Sequence, residues 1–167
     1  APGGMVKING TTVEARSMGP YIDPKAEVMV VKIEGNIVIV KNTGSGDVST
    51  DRVDAGDLDF SDTGSGNIKC NSAICQNSDI KITGSGDITI SGECESAHLK
   101  TSGSGNIYGN NFSTVTTSAI LTGSGNIYIM TEEYLNGLLT GSGNLYYKGN
   151  PEIDQTKTGS GRIIKQK

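Results

Sequence analysis

The tripeptide Gly-Ser-Gly occurs seven times in this chain, beginning at Gly44, Gly64, Gly84, Gly103, Gly123, Gly141 and Gly159. The intervals are 20, 20, 19, 20, 18 and 18 residues. A Thr or Ser precedes every copy. An Asn or Asp follows six of the seven (Asp47, Asn67, Asp87, Asn106, Asn126, Asn144), with Arg162 the exception. An aliphatic residue comes next in all seven: Val48, Ile68, Ile88, Ile107, Ile127, Leu145 and Ile163. Counting the second glycines (Gly46, Gly66, Gly86, Gly105, Gly125, Gly143, Gly161), the motifs hold 14 of the 24 glycines in the chain. Self-similarity at a fixed short period is the mark of a solenoid, in which each repeat buries its apolar side against its neighbours.

The residues between the motifs decide which solenoid. Isoleucine and valine outnumber leucine 28 to 7, which favours pleated strands and leaves too few leucines for a leucine-rich repeat. The doubled Gly-Gly-x-Gly-x-Asp of calcium-binding rolls is missing. The expectation is an all-β, single-stranded, right-handed parallel β-helix of about seven coils of 18–20 residues, one motif per coil. Residues 1–42 would add N-terminal coils or a cap to the repeats of 43–167, in one continuous domain. Successive coils would stack at about 4.8 Å, so equivalent positions would form columns along the axis.

Period-two alternation assigns those columns to faces. Counting from the first glycine of each motif, the aliphatic residue at +4 and the set Phe60, Ile80, Leu99 and Ala119 at −4 point inward. Position −2 is a weaker inward column, holding Ile82, Leu121 and Leu139 but also Asp62, Thr101 and Lys157. Both glycines fall inward, with the Thr, Ser and Asn/Asp outward. Glycine there suits either a corner of positive φ or a pinch between opposite walls.

The chemistry open to such a chain is narrow. A net charge of −4 gives no basic field for nucleic acid, and a run of aliphatic residues plus Met such as Val28–Val31 is far too short to span a membrane. The glycine motifs precede strands and lack the Lys-Ser/Thr of a phosphate loop, so no nucleotide or other cofactor is expected. The single histidine, His98, sits outward beside Lys100, and no nucleophile elbow occurs. Asp51, Asp54, Asp57 and Asp59, with Arg52 among them, form the densest acidic stretch. Alternation puts Asp57 and Asp59 on one outer face, a spacing open to a polysaccharide-acting carboxylate pair, but all four lie in one coil. Asp47 and Asp87 could offer oxygens to calcium, diluted by Asn67 between them. No catalytic constellation emerges.

Cys75 and Cys94 each stand nine residues before the next motif, one above the other, as a disulfide or as stacked thiols. Cys70, at +6, reads as a buried free thiol.

The clearest candidate site is aromatic. Tyr108, Tyr128 and Tyr146 share position +5 in three consecutive coils and point outward as a flat stripe. Ile120 and Leu138, at −3, add outward apolar surface. Three readings fit: ladder contacts within the sheet, a partner or self-association surface, and a platform for sugars.

The repeated Thr-Gly-Ser-Gly-Asn/Asp-Ile, closing in Leu145-Tyr-Tyr-Lys-Gly-Asn-Pro151 and a last Gly-Ser-Gly at Gly159, resembles the family known as GIN-domain "putative auto-transporter adhesins". The resemblance covers residues 28–167 well and 1–27 poorly. It implies an exported β-helix of Bacteroidetes-type bacteria, with no established catalytic residues. Residues Ala1–Gly4 carry no charged or apolar leader, so the chain is either not exported or has lost one. The expectation that follows is a non-catalytic adhesion or binding module of the periplasm, outer membrane or cell surface, with carbohydrate, an envelope protein or a second copy as partner. The runners-up are a polysaccharide-acting enzyme and a polymerising β-helical scaffold.

Overall fold

The computed structural model describes residues 36–167 in full and the backbone of three earlier strands. These are β1 (Gly3–Ile8), β2 (Thr11–Arg16) and β3 (Val28–Glu34), followed by β4 (Ile37–Asn42) and β5 (Val48–Thr50). Then come β6 (Val53–Asp62), β7 (Ile68–Ile82), β8 (Ile88–Thr101), β9 (Ile107–Leu121) and β10 (Ile127–Leu139). The last three are β11 (Leu145–Lys148), β12 (Glu152–Lys157) and β13 (Ile163–Lys165). The described residues contain no helix, hence none that could cross a membrane.

From β4 onward every pairing is parallel, in the order β4, β6, β7, β8, β9, β10, β11, β13, with β5 on β7 and β12 on β10. This is a β-solenoid of about six turns. Seven motifs enclose six intervals, and the last is followed only by the short β13, which accounts for the difference from about seven. Ahead of the first motif the pairing is antiparallel, β1 with β2 and β3 with β4. Antiparallel neighbours are not successive coils, so the parallel stack starts at β4.

The columns pair in register. Ile68, Ile88, Ile107, Ile127 and Leu145 lie directly over one another, each at most 1% exposed. Phe60, Ile80, Leu99 and Ala119 form a second core column, fully buried. Phe112, unassigned by the motif spacing, joins them at a register shift in β8 and β9. Near it, the hydroxyls of Thr114, Thr117 and Thr131 bond to one another at 2.6–3.2 Å, so their burial leaves no orphaned polar group.

The motif glycines serve neither expected purpose. Among the described glycines, positive φ occurs only at Gly92 and Gly149, outside the motifs. A Cβ on Gly64 would come 1.9 Å from the carbonyl oxygen of Gly44, one on Gly86 1.9 Å from that of Gly66, and one on Gly105 1.9 Å from that of Gly86. The close approach is therefore between neighbouring coils along the axis, not between opposite walls. The first glycine's carbonyl uses that proximity: Gly44 O accepts from Ser65 N at 3.1 Å and Gly66 N at 3.3 Å, and Gly103 O from Ser124 N and Gly125 N. The turn is a backbone ladder that any side chain would push apart.

The Asn/Asp column completes it. Asp47 Oδ1 accepts from Asn67 N at 2.7 Å, Asn67 Oδ1 from Asp87 N, and Asp87 Oδ1 from Asn106 N. Asn106, Asn126 and Asn144 continue upward, each Oδ1 accepting the next coil's amide. Arg162 donates its N–H to Asn144 and ends the series, so its own side chain needs no acceptor. The Oδ1 atoms of Asp47 and Asp87, offered by the sequence as calcium ligands, are engaged in this ladder.

Position −2 shows how a polar side chain enters the core. Asn42 is fully buried, accepting from Gly44 N and donating its amide to Gly46 O at 3.0 Å. Asp62 sits directly above it in register and accepts from Gly64 N at 3.1 Å, but its Oδ2 is buried without a hydrogen bond. Burial raises the Asp62 carboxyl above its ordinary value of 3.8, the Gly64 amide opposes the rise, and the Asp87 charge adds to it. A raised folded pKa contributes stability that is present below pH 3.8 and lost as pH rises through the folded value. Asp62→Asn, which can donate as Asn42 does, should stabilise the protein at neutral pH by about 1–3 kcal/mol. Thermal melts across pH 3 to 8 check this: the gain should shrink toward the acid end, and a gain independent of pH would contradict the cause given.

Candidate functional site

The tyrosine column depends on the coil pitch. Tyr108, Tyr128 and Tyr146 are paired rung to rung where β9, β10 and β11 leave their glycine turns. With coils stacked so closely, their rings lie face to face: centroids are 5.2 Å apart at 18° between Tyr108 and Tyr128, and 4.7 Å at 6° between Tyr128 and Tyr146. All three are half-buried. Both faces of Tyr128 are covered by its neighbours, so the column presents ring edges and a row of hydroxyls. The flat aromatic stripe expected from alternation is thus an edge-on one, and stacking of a sugar on a ring face is confined to its two ends. Burial, then the neighbouring phenols, raises the Tyr128 hydroxyl pKa, so it stays a neutral donor and acceptor. Asn144 Nδ2 reaches the Tyr146 hydroxyl at 3.5 Å. Ile120 and Leu138 pair in register on the neighbouring strand segments, each half-buried.

The acidic coil does not act as one group. Asp51 accepts from Asn71 at 3.0 Å and Asp57 from Asn77 at 2.9 Å, each tying its coil to the next. Asp54 pairs with Arg52 at 3.5 Å in solvent. Asp57 and Asp59 share an outer face and line a hollow of about 450 Å³ with Ile37, Ile39, Asp79 and His98. Asp59, Asp79 and His98 occupy one column on successive coils. Burial and the adjacent Asp79 raise the Asp59 carboxyl, while Lys81 and Lys41 draw it down. Lys81 bonds Asp79 at 2.5 Å, which holds its ammonium charged. Lys81 is therefore a counter-charge between two carboxylates, and Lys81→Asp would not be the neutral surface change that an outward lysine suggests.

The sequence reading missed a groove of about 620 Å³ that runs over five coils. Its floor is the column Ala55, Cys75, Cys94 and Thr114, and its rims carry Asp54, Glu93, Glu95 and Glu132 with no lysine or arginine. Asp54 and Glu93 stand ten residues before the next motif, Glu95 eight and Glu132 nine. Their only signal was a scatter of acids at those offsets, weak beside the glycine repeat. Cys75 and Cys94 face each other in register, 7% and 5% exposed, and all three cysteines are free thiols, with Cys70 1% exposed in the core. No cluster of three or more metal-ligating side chains occurs among the described residues.

This architecture recurs in solved structures. A lipid-binding protein of Parabacteroides distasonis, described as putative, is 31% identical with a TM-score of 0.73 over 78% of this chain and 55% of its own. A putative adhesin of Parabacteroides merdae is 26% identical with a TM-score of 0.74, over 78% and 55%. A putative adhesin of Bacteroides fragilis is 25% identical with a TM-score of 0.75, over 98% of this chain and 76% of its own. The chain thus spans about half the length of the Parabacteroides proteins. Among curated proteins, none matches its sequence. A family model described as "Putative auto-transporter adhesin, head GIN domain" matches residues 4–151, from the first strand through the Tyr-Tyr-Lys-Gly-Asn-Pro segment. With six of the seven glycine motifs and the Tyr-Tyr-Lys-Gly-Asn-Pro segment inside that match, the chain belongs to the head GIN domain family of putative auto-transporter adhesins.

Proposed function

We propose that this chain is a non-catalytic binding module of the bacterial cell envelope, with the Tyr108–Tyr128–Tyr146 column at the centre of its contact surface. The observation that carries the reading is the stacking of the three rings at 5.2 and 4.7 Å. Rings locked face to face are rigid, so their exposed edges and hydroxyls bind with little ordering cost. Edge-on tyrosine suits a protein surface, in an envelope partner or a second copy. A sugar would find hydroxyls to bond but few free ring faces, which makes carbohydrate the weaker ligand. Family membership supports the adhesive reading, as do the names given to its Parabacteroides and Bacteroides relatives, and with it a place in the envelope or on the surface.

The competing enzymatic reading rests on Asp57 and Asp59 beside a hollow with His98. Incubating the protein with acidic and neutral polysaccharides and measuring chain length separates the two. No shortening is expected, alongside concentration-dependent association in light scattering or retention on a glycan array. Shortening that Asp59→Asn abolishes would overturn the binding reading.

A further inference from the structure

The acidic groove holds a feature that adhesion does not use. Cys75 and Cys94 are its only thiols, and they occupy the same column on consecutive coils. Paired positions in a parallel stack have Cα atoms about 4.8 Å apart, inside the range a disulfide spans. Cys94 Sγ lies 3.2 Å from Ser96 O and 3.4 Å from Gln76 O, and Cys75 Sγ lies 3.9 Å from Glu93 O. Column neighbours Ala55 and Thr114 carry no sulfur, so the pair is isolated on its floor. Cys70 lies in a different column, between Thr50 and Ile90.

We propose that Cys75 and Cys94 are a redox-active dithiol, opened to small disulfides through the groove, that closes into a reversible bridge between two coils. The two thiols are unequal. Hydrogen bonding between the two thiols lowers Cys94, against burial and the Glu95 charge, and together with burial raises Cys75. The exchange can open at either sulfur; from Cys94 it proceeds in two steps. In the first step the Cys94 thiolate bonds to one sulfur of a low-mass disulfide, whose S–S bond breaks. The departing thiolate takes the electron pair and is protonated by solvent. Cys75 then loses its proton and attacks the Cys94 sulfur, expelling the second small thiol. The protein gives up two electrons and two protons, and one disulfide becomes two thiols. The bridge staples one full turn of the solenoid, from residue 75 to 94, without leaving the column.

The test exposes the folded protein to oxidised glutathione at neutral pH, followed by mass spectrometry of non-reduced peptides. Linkage of Cys75 to Cys94 with Cys70 free, reversed by dithiothreitol and accompanied by a higher melting temperature, is the expected result. Cys75→Ala, which places the residue of the neighbouring Ala55 in the column, should stop at a stable glutathione adduct on Cys94. Cys94→Ala should likewise stop at an adduct, on Cys75. A persistent adduct on the unaltered protein, a linkage through Cys70, or thiols that react only after unfolding would overturn the proposal.

Discussion

Gly105→Ala should leave the protein unfolded at room temperature. The added methyl would stand 1.9 Å from the carbonyl oxygen of Gly86 and 3.0 Å from Ile82 Cγ2, well inside ordinary contact. Neither obstacle is the end of a flexible side chain facing solvent. Relief requires lifting one coil from the next, which lengthens the bonds that Gly84 O accepts from Ser104 N and Gly105 N. The same displacement would weaken the neighbouring Asp87–Asn106 rung, whose N···O distance is 2.7 Å. A loss of more than about 4 kcal/mol is expected, comparable with the whole stability of a marginal domain. Ser104→Ala, one residue away and exposed, should melt within about 0.5 kcal/mol of the original. Circular dichroism and thermal melts of the two variants give the comparison.

Ile107→Asp should be equally severe for a different reason. Ile107 is 0% exposed and lies in register between Ile88 and Ile127, each also 0% exposed. A carboxylate there meets only apolar neighbours above and below, so it has no partner and loses its hydration, at a cost of several kcal/mol. Lys69→Ser, one residue beyond the same column in an earlier coil and exposed, should change little, since Ser49 already stands opposite it. Equal melts for Ile107→Asp and Lys69→Ser would show that the in/out assignment is wrong.

The architecture was legible because its cause is local and repeated. Each coil needs the same small residues at its turn, the same Oδ1 acceptor beside it and the same aliphatic residue after it. Seven copies therefore declare both period and register. The purpose of the glycines was not legible, because corner, pinch and axial stack all demand a residue without a side chain, and only coordinates show which atom a Cβ would strike. Position −2 misled in a similar way. Asp62 and Thr101 looked like breaks in an inward column, yet both are fully buried, Asp62 accepting the Gly64 amide as Asn42 accepts that of Gly44. The tyrosines were found by their shared offset, but their orientation follows from ring packing at the coil pitch. The groove has no motif at all. It lies where the ladder skips a rung at Gly56, Gln76, Glu95 and Val115, and such a skip leaves no fixed spelling in the chain.

The claim that the tyrosine column is the contact surface rests on side chains that the fold does not require. Tyr108, Tyr128 and Tyr146 share their column with Ser49, Lys69 and Thr89, so small polar residues are already tolerated there. Replacing all three with Ser should keep the β spectrum and lower stability by roughly 0.2–1 kcal/mol per lost ladder contact. The decisive measurement compares this triple variant with the original protein, in light scattering and on a glycan array under identical conditions. A folded variant that has lost the association or retention seen for the original is the predicted result. A variant with unchanged mass and unchanged ligand retention would reduce the tyrosines to sheet stabilisers and contradict the account.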